Sequence, residues 1–255
     1  MPDTASKSVL VTGGARRIGR HIALAFAHRG WNVAIHYRNS AAQAQSLADE
    51  IAATGRRAVL LHADLEDEQQ ARDLATRAIA AFGRLDCVVN NASLFEPDDA
   101  QRFSPALLER HMRANVTAPL LLAQALHAAT PEGGQAVVVN LLDQKLYNLN
   151  PDYLSYTLSK AALHTATTTL AQALAPKLRV VGVAPGITMV SGDQTEEGFA
   201  KAHAMTPLGR SSTPEDVAAA VCFAAESPAI TGTTLVVDGG QHLIPLQRDV
   251  MFVVK

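Results

Sequence analysis

Short apolar segments alternate with stretches of helical periodicity along this chain, and this alternation constrains the fold more than any other feature of the sequence. The seven apolar segments lie near 8–12, 32–37, 57–62, 86–89, 136–142, 179–184 and 233–237. Such alternation predicts a mostly parallel sheet covered by helices on both faces, with ligands bound beyond the carboxyl ends of the strands. We therefore expect an α/β fold with one doubly wound, seven-stranded parallel sheet.

Composition favours a single domain that spans residues 1–255. The 255 residues are 48% hydrophobic and carry a formal net charge of −2, which fits a large apolar core and gives no indication of nucleic-acid binding. Cys87 and Cys222 lie far apart in apolar segments, so buried thiols in a reducing compartment are expected rather than a disulfide framework. No apolar run reaches the ~20 residues of a membrane-spanning helix. These features predict a cytoplasmic protein.

A glycine-rich turn follows the first apolar segment. Thr12-Gly13-Gly14-Ala15-Arg16-Arg17-Ile18-Gly19 stands between the segment Ser8–Val11 and a helical pattern. Glycines let the backbone approach a pyrophosphate closely, and the N-terminus of the helix presents free N–H groups and the positive end of its dipole. The turn therefore predicts a dinucleotide site of the Rossmann type.

A second candidate site is the pair Tyr156 and Lys160, which share one face of a predicted helix. A phenol titrates near pH ~10 and is a weak acid–base group at neutrality unless a nearby positive charge stabilises the phenolate. Lys160 could supply that charge. Alone, such a pair is a weak signal, because chance pairs on solvated helices are common.

Together with other motifs, this pair makes the chain resemble the short-chain dehydrogenase/reductase family along nearly its whole length. The further motifs are Ala63-Asp64, Asn90-Asn91-Ala92-Ser93, Asn115, Pro185-Gly186 and Val237-Asp238-Gly239-Gly240. The resemblance implies that Tyr156 is the proton donor or acceptor. It also implies that Lys160 holds the nicotinamide ribose and lowers the pKa of Tyr156, and that Asn115 supports a water relay. Asp238 is expected to shape a turn or a subunit contact rather than to take part in the chemistry.

The cofactor expected from the resemblance is NADPH/NADP+ rather than NADH. Arg17 stands where many family members have a glycine, and the second strand runs into His36-Tyr37-Arg38-Asn39-Ser40 without the acidic residue that binds a ribose 2′-hydroxyl. Arginine offers bidentate donors to a 2′-phosphate. Ordinary surface residues are the alternative for Arg17, His36 and Arg38. The predicted cofactor site comprises Gly13, Arg16, Arg17, Ile18, Gly19, His36, Tyr37, Arg38, Asn39, Ser40, Ala63, Asp64, Leu65, Asn91, Ala92, Ser93, Tyr156, Lys160, Pro185, Gly186 and Ile187.

The substrate is indicated by Asp143, which lies thirteen residues before Tyr156, where most family members carry a serine. An ionised carboxylate only accepts hydrogen bonds, so it suits a ring with N–H donors better than a ketone oxygen. With Phe95 after the fourth strand, these residues resemble pteridine reductases and dihydromonapterin reductases. That resemblance implies a pterin stacked between Phe95 and the nicotinamide, with Arg16 and Ser93 at its amino-pyrimidinone edge.

The predicted reaction is hydride transfer from NADPH to a pterin ring of a dihydropterin, dihydromonapterin or dihydrofolate. Asp143, Tyr156 or a water between them would supply the proton. One alternative is a carbonyl or 3-oxoacyl reductase with Tyr156 as sole acid, and a second is a non-catalytic NADPH-binding sensor. The catalytic candidates are Asp143, Tyr156, Lys160 and Asn115, and the candidates for substrate binding are Arg16, Ser93, Phe95, Asp143 and Tyr156.

Two further segments carry expectations. The polar, glycine-containing stretch 187–207, with a helical patch over Glu196–Met205, predicts a substrate lid, with disorder as the alternative. The apolar tail Asp249–Lys255 would be awkward exposed on a monomer, so we expect it to pack at a subunit interface or over a neighbouring pocket. The family resemblance implies a homotetramer. No metal site is indicated, because His111 and His203 lack ligand spacing.

Overall fold

Seven parallel strands form one sheet in the computed structural model, which describes residues 6–190 and 195–253. The sheet order is β3-β2-β1-β4-β5-β6-β7. The strands are β1 (Ser8–Val11), β2 (Asn32–Tyr37), β3 (Ala58–His62), β4 (Cys87–Asn90), β5 (Ala136–Leu141), β6 (Leu178–Pro185) and β7 (Thr234–Val237). The predicted doubly wound α/β architecture is confirmed, and each strand lies where the sequence places it.

Helices connect the strands. They are α1 (Arg17–His28), α2 (Ala41–Ala53), α3 (Glu68–Phe82), α4 (Pro105–Met112), α5 (Ala118–Ala129), α6 (Leu154–Ala173), α7 (Glu196–Ala204), α8 (Pro214–Glu226) and α9 (Val250–Val253). A π-helical turn, Arg113–Thr117, joins α4 to α5, and short 3₁₀ segments cover Gln144–Tyr147 and Gln241–Leu243. Within the part of the chain that is described, no helix combines the length and apolar character needed to cross a bilayer.

Alternate residues of the central strands contribute to two apolar layers, one on each face of the sheet, because successive side chains of a strand point to opposite faces. Val9 and Val11 of β1 pack with the buried faces of α1, α2 and α8. Leu10 packs in the opposite layer, with the buried faces of α3 and α5. Both faces of the sheet are therefore covered, and its carboxyl edge is left to bind ligands.

That edge has a topological switch at β1, which pairs with β2 on one side and β4 on the other. Val11 of β1 is in register with Val89 of β4. The loops that leave these two strands consequently meet, and such a junction is the place where open parallel sheets bind nucleotides.

The expected lid and tail are both partly described. Helix α7 coincides with the predicted helical patch of the stretch 187–207, whereas residues 191–194 of that stretch lie outside the described residues. The tail forms α9, and its buried Val250 lines a cavity of the same chain. Asp249 and Val250 of the tail thus line a pocket, as one of the two expectations had it, whereas Phe252 and Val253 are exposed and residues 254–255 lie outside the described part.

Candidate functional site

A cavity of about 510 Å³ opens at the switch point and has the dimensions of a ligand pocket. Gly13 adopts a left-handed backbone with φ of 60°, and a Cβ on Gly19 would lie 2.2 Å from the Gly13 carbonyl oxygen. Only glycine fits at residue 19. The lining residues are Gly13, Arg16, Arg17, Ile18, Gly19, His36, Arg38, Ala63, Asp64, Leu65, Glu66, Asn91, Ala92, Ser93, Leu94 and Ala114.

The N-terminus of α1 opens onto this cavity without a side-chain cap. Arg16 is the N-cap residue, its side chain makes no capping hydrogen bond, and the first turn contains no acidic residue. The first N–H groups of a helix have no intrahelical partner, and together with the helix dipole they favour an anion. The residues present therefore fit a dinucleotide pyrophosphate at this end of the cavity.

Arg17 has an unusual backbone for a residue with a side chain. Its φ is 51°, in the left-handed region that favours glycine. Its Nη1 donates to the Val190 carbonyl oxygen at 3.0 Å, and the side chain lines both this cavity and the substrate-side cavity described below. Arg17 is thus at the boundary between the two, and the strain at this position is consistent with a functional constraint.

His36 lines this cavity as a buried, hydrogen-bonded residue. The side chain is only 3% exposed, its Nδ1 accepts a hydrogen bond from the Gly13 backbone N–H at 2.9 Å, and Nε2 lies 3.1 Å from the Ala63 carbonyl oxygen. Burial lowers the pKa of His36 to about 4, so the imidazole is neutral at pH 7. His36 is thus a neutral residue that fixes the glycine turn to Ala63, which follows β3. Its burial is at odds with an ordinary surface residue, which was the alternative for this position.

Because the pKa of His36 is about 4 in the folded chain against 6.5 for a free side chain, the unfolded state binds more protons between these values. Stability should accordingly fall as the pH drops from about 6.5 toward 4, by an amount on the order of 3 kcal/mol. The measurement is the urea midpoint against pH for the wild type and His36→Gln, which should show a flatter dependence. The exposed His28→Gln is the control, and a His36→Gln profile that tracks the wild type would contradict the assignment.

Arg38 reaches the same cavity in contact with carboxylates. Its Nη1 lies 3.1 Å from Glu66 Oε1 and 3.5 Å from Asp64 Oδ1. Glu66 is also held by Arg110, which forms a two-point contact with Glu96. Exposed pairs of this kind contribute little to stability. They do keep a guanidinium at the adenosine end of the cavity, where a 2′-phosphate would need it.

Thr12 and Asn91 lock the loops after β1 and β4 together. Thr12 Oγ1 accepts hydrogen bonds from the backbone N–H groups of Asn91 and Ala92, each at 3.0 Å. Asn91 Nδ2 donates to the carbonyl oxygens of Thr12 and Gly13. The floor of the cavity is therefore assembled from two strands that are about eighty residues apart in sequence.

Asn115 lies in the π-helical turn and is buried. Its Oδ1 accepts from the Leu94 backbone N–H at 2.7 Å, and its Nδ2 donates to the Leu94 carbonyl oxygen at 2.9 Å and to Ser159 Oγ at 3.0 Å. Single π-helical turns inside helices occur frequently at functional sites. Here the turn connects the loop that carries Phe95 to helix α6, next to Lys160.

A second cavity, of about 210 Å³, lies on the substrate side. Its lining comprises Arg17, Ile18, Phe95, Asp143, Gln144, Lys145, Tyr156, Gly186, Ile187, Thr188, Met189, Gln241, Asp249 and Val250. Tyr156 Oη donates to Asp143 Oδ2 at 2.7 Å. Lys160 Nζ donates to the Leu141 carbonyl oxygen at 2.7 Å and lies 5.7 Å from the centre of the Tyr156 ring. Three of the four predicted catalytic residues are thus brought together, and the fourth, Asn115, is hydrogen-bonded to Ser159 next to Lys160 on α6.

The protonation of this cluster follows from burial. Burial and the neighbouring Asp143 carboxylate raise the pKa of Tyr156 well above 10, which is opposite to the lowering by Lys160 that the family resemblance implies. Burial also raises the pKa of Asp143 and lowers the pKa of Lys160 to about 8. Tyr156 is consequently a neutral phenol that donates a hydrogen bond to Asp143, and this hydrogen-bonded pair can pass a proton on.

Phe95 forms one side of this cavity in an aromatic stack. Its ring lies 4.4 Å from the Tyr153 ring at an interplanar angle of 19°, and it makes an edge contact with Tyr156 at 4.7 Å. The Tyr153 ring is also parallel to Phe252 of α9, at 6.1 Å. Phe95 is 40% exposed, so its aromatic surface is supported on one side and partly open to a ligand.

Most of the predicted cofactor residues line one of the two cavities. The predicted cofactor residues that line neither cavity are Tyr37 at the end of β2, Asn39 and Ser40 after it, Lys160 on α6 and Pro185 at the end of β6. Gly186 and Ile187 line the substrate-side cavity. No motif marks several other lining residues, and the sequence reasoning missed them: Glu66, Leu94, Ala114, Gln144, Lys145 and Gln241. Thr188 and Met189 belong to the stretch predicted as a substrate lid, and Asp249 and Val250 belong to the tail.

The remaining candidates have structural roles. Asp238 shapes a turn, since its carboxylate accepts from the backbone N–H groups of Gly240 and His242 at 2.9 and 2.7 Å. Cys87 and Cys222 are free and buried. Among the described residues, no cluster of three or more histidine, cysteine or acidic side chains has the arrangement of a metal site.

Comparisons with known proteins agree with this geometry. Residues 13–242 match a family model described as enoyl-(acyl carrier protein) reductase. A curated relative, an L-rhamnose 1-dehydrogenase (NAD(P)(+)) from Sphingomonas sp., is 34% identical over 93% of this chain and 96% of its own length.

Two solved structures resemble the chain over almost all of its length. FolM alternative dihydrofolate reductase 1 from Brucella canis, complexed with NADP, superposes with a TM-score of 0.91 at 41% identity, covering 96% of this chain and 97% of that one. A short-chain dehydrogenase from Burkholderia cenocepacia in complex with NADP gives a TM-score of 0.86 at 32% identity, covering 94% and 99%.

Proposed function

This chain belongs to the short-chain dehydrogenase/reductase family, and from that premise we propose that it is an NADPH-dependent reductase that transfers hydride to a pterin ring. The observation that carries the proposal is the hydrogen bond of 2.7 Å from Tyr156 Oη to Asp143 Oδ2, on a cavity that Phe95 also lines. A carboxylate at this point accepts N–H donors of a heterocycle and offers nothing to a ketone oxygen. The NADP-bound FolM structure supports the same substrate class.

Each group has a task set by its position. The uncapped N-terminus of α1 and the glycine turn would hold the pyrophosphate, and Arg38 would face the 2′-phosphate. Lys160, with a pKa of about 8, is a cation at pH 7 and would bind the nicotinamide ribose. NADPH, when bound, supplies the hydride.

The substrate would lie against Phe95 in the second cavity, with Asp143 at the polar edge of its ring. An aromatic face holds a flat heterocycle by stacking, and proximity to the hydride donor then contributes much of the rate. Tyr156 shares its phenol proton with Asp143, so this pair, directly or through a water, would protonate the ring nitrogen next to the reduced carbon. Arg16 and Ser93 line the neighbouring cavity, within the loops that border the ring site.

The decisive experiment is a turnover panel with purified protein, NADPH, and dihydropterins, dihydrofolate, quinones, small ketones and 3-oxoacyl substrates. The proposal expects dihydropterins to have the highest kcat/KM. Turnover of ketones alone would instead indicate a carbonyl reductase. Absence of turnover with every compound would favour the alternative of a non-catalytic NADPH-binding sensor. Cytoplasmic location and a homotetramer stay predictions, and sedimentation of the purified protein tests the second.

Cofactor preference gives a separate prediction. Loss of a charge-assisted contact to the 2′-phosphate costs roughly 1.5–3 kcal/mol, so Arg38→Ala should narrow the preference for NADPH over NADH by about tenfold or more, mainly through KM. The measurement is the ratio of the two kcat/KM values. Arg113→Ala removes an arginine that pairs with Glu109 on a solvent-exposed helix face and should leave the ratio unchanged. Equal kcat/KM for both cofactors in the wild type would refute the preference.

A further inference from the structure

Lys145 is a buried cation on the substrate side of the fold. It is 3% exposed, and its Nζ donates to the Asp152 carbonyl oxygen at 2.6 Å and lies 3.4 Å from Asp249 Oδ2. Its Nζ also lies 5.4 Å from the centre of the Tyr153 ring. A buried charge is tolerated when it is paired, and removal of one partner is strongly destabilising for the other. The side chain of Lys145 is therefore held firmly.

The backbone of the same residue holds the catalytic carboxylate. The Lys145 N–H donates to Asp143 Oδ1 at 2.8 Å, which leaves Oδ2 for the Tyr156 hydroxyl at 2.7 Å. A carboxylate fixed at both oxygens keeps one rotamer. Movement of Lys145 would thus turn Asp143 away from Tyr156.

The C-terminal segment binds to Asp152, whose carbonyl oxygen also accepts the hydrogen bond from Lys145. Arg248 Nε lies 3.0 and 2.9 Å from the two carboxylate oxygens of Asp152, and the Asp249 N–H donates to Asp152 Oδ2 at 2.7 Å. Arg248 also lies over the Phe252 ring at 5.0 Å, and that ring is parallel to Tyr153. Val250 and Asp249 line the substrate-side cavity. Through Asp249 and Val250, the segment 248–253 thereby contributes to the wall of the cavity.

We propose that Lys145, Asp152, Arg248 and Asp249 form a C-terminal clasp of positioning residues, which holds the segment 248–253 as the wall of the substrate cavity and fixes the orientation of Asp143. The four residues touch one another across about a hundred positions of sequence. The clasp has two separable effects, one on the position of the cavity wall and one on the orientation of Asp143. The outer contact of Arg248 with Asp152 positions the wall only, whereas Lys145 positions the wall and Asp143 together.

This inference rests on the proposed reduction of a pterin, and kinetics of three variants test it. Lys145→Met keeps the aliphatic stem and the backbone N–H, Asp249→Asn removes the partner charge, and Arg248→Ala removes the outer contact, which is half exposed. Arg113→Ala, which changes an exposed side chain at the start of the π-helical turn, is the control. NADPH dissociation constants should stay within about twofold of the wild type in all four, because none of these residues lines the cofactor cavity.

For the dihydropterin, Arg248→Ala should raise KM by about fivefold with kcat unchanged. Lys145→Met and Asp249→Asn should raise KM and also lower kcat by about tenfold, because Asp143 loses its fixed rotamer. The double variant Lys145→Met/Asp249→Asn should be less than additive. Wild-type KM and kcat in Arg248→Ala and Asp249→Asn would overturn the clasp, even if Lys145→Met fails to fold.

Hydrogen exchange separates this outcome from failure of the proposed function. If the wild type reduces no pterin, the proposed function is refuted. The hydrogen-exchange measurement then tests the clasp without any kinetic result. Backbone amides of 145 and of 248–253 should then exchange at least about tenfold faster in Arg248→Ala and Asp249→Asn than in Arg113→Ala. Equal exchange in all of these variants would overturn the clasp.

Discussion

Tyr156→Phe should keep NADPH affinity and lose at least about a hundredfold in turnover of the best substrate, since general acid–base groups contribute on the order of 10²–10⁴. The change removes only the hydroxyl that donates to Asp143 at 2.7 Å. The raised pKa keeps the Tyr156 hydroxyl protonated across the neutral range, so that it retains the hydrogen it donates in the hydrogen bond to Asp143. The measurements are kcat under saturating NADPH and the Kd of NADPH.

Two further variants serve as comparisons for Tyr156→Phe. Tyr147→Phe alters an exposed tyrosine that lines neither cavity and should leave kcat unchanged. Lys160→Ala should damage both NADPH affinity and turnover, because Lys160 is assigned to the ribose and also bonds the Leu141 carbonyl oxygen. A Tyr156→Phe protein with the wild-type rate would show that Tyr156 is structural and that another acid supplies the proton.

The second large effect is expected on substrate class. Asp143→Ser should lower kcat/KM for a dihydropterin about ten- to a hundredfold, because hydrogen bonds to a charged group contribute roughly 1.5–3 kcal/mol. A serine hydroxyl can donate to a ketone oxygen, so the ketone rate should stay or rise. Phe95→Ala should act in the same direction, since a flat ring loses its stacking surface. The measured quantity is the ratio of kcat/KM for a dihydropterin to that for a small ketone.

Matched controls make this ratio specific. Phe103→Ala removes an aromatic ring with exposure similar to that of Phe95, 43% against 40%, and should not change the ratio. Asp73→Ser replaces an exposed carboxylate on α3 and should likewise have no effect. A ratio that is the same in the wild type, Asp143→Ser and Phe95→Ala would place the chain among the general carbonyl reductases.

The sequence by itself determined the elements and the catalytic pair. Apolar segments near the observed strands were evident because backbone preferences and side-chain periodicity are local properties. Tyr156 and Lys160 meet on α6 because residues four apart share a helix face. The glycine-rich turn was also evident from the sequence, since Gly13 and Gly19 occupy positions where the backbone disfavours or excludes a side chain.

Only the tertiary structure decided charge state and partnership, because burial and long-range contacts set both. His36 has the sequence position of a phosphate ligand, yet its burial against Gly13 and Ala63 makes it a neutral structural residue. The pKa of Tyr156 is raised by Asp143 and by burial rather than lowered. Lys145 and Asp249 are 104 residues apart, and nothing in either local pattern indicates that they meet at the substrate cavity. Local sequence thus specifies which groups are available, and packing determines their protonation, orientation and partners.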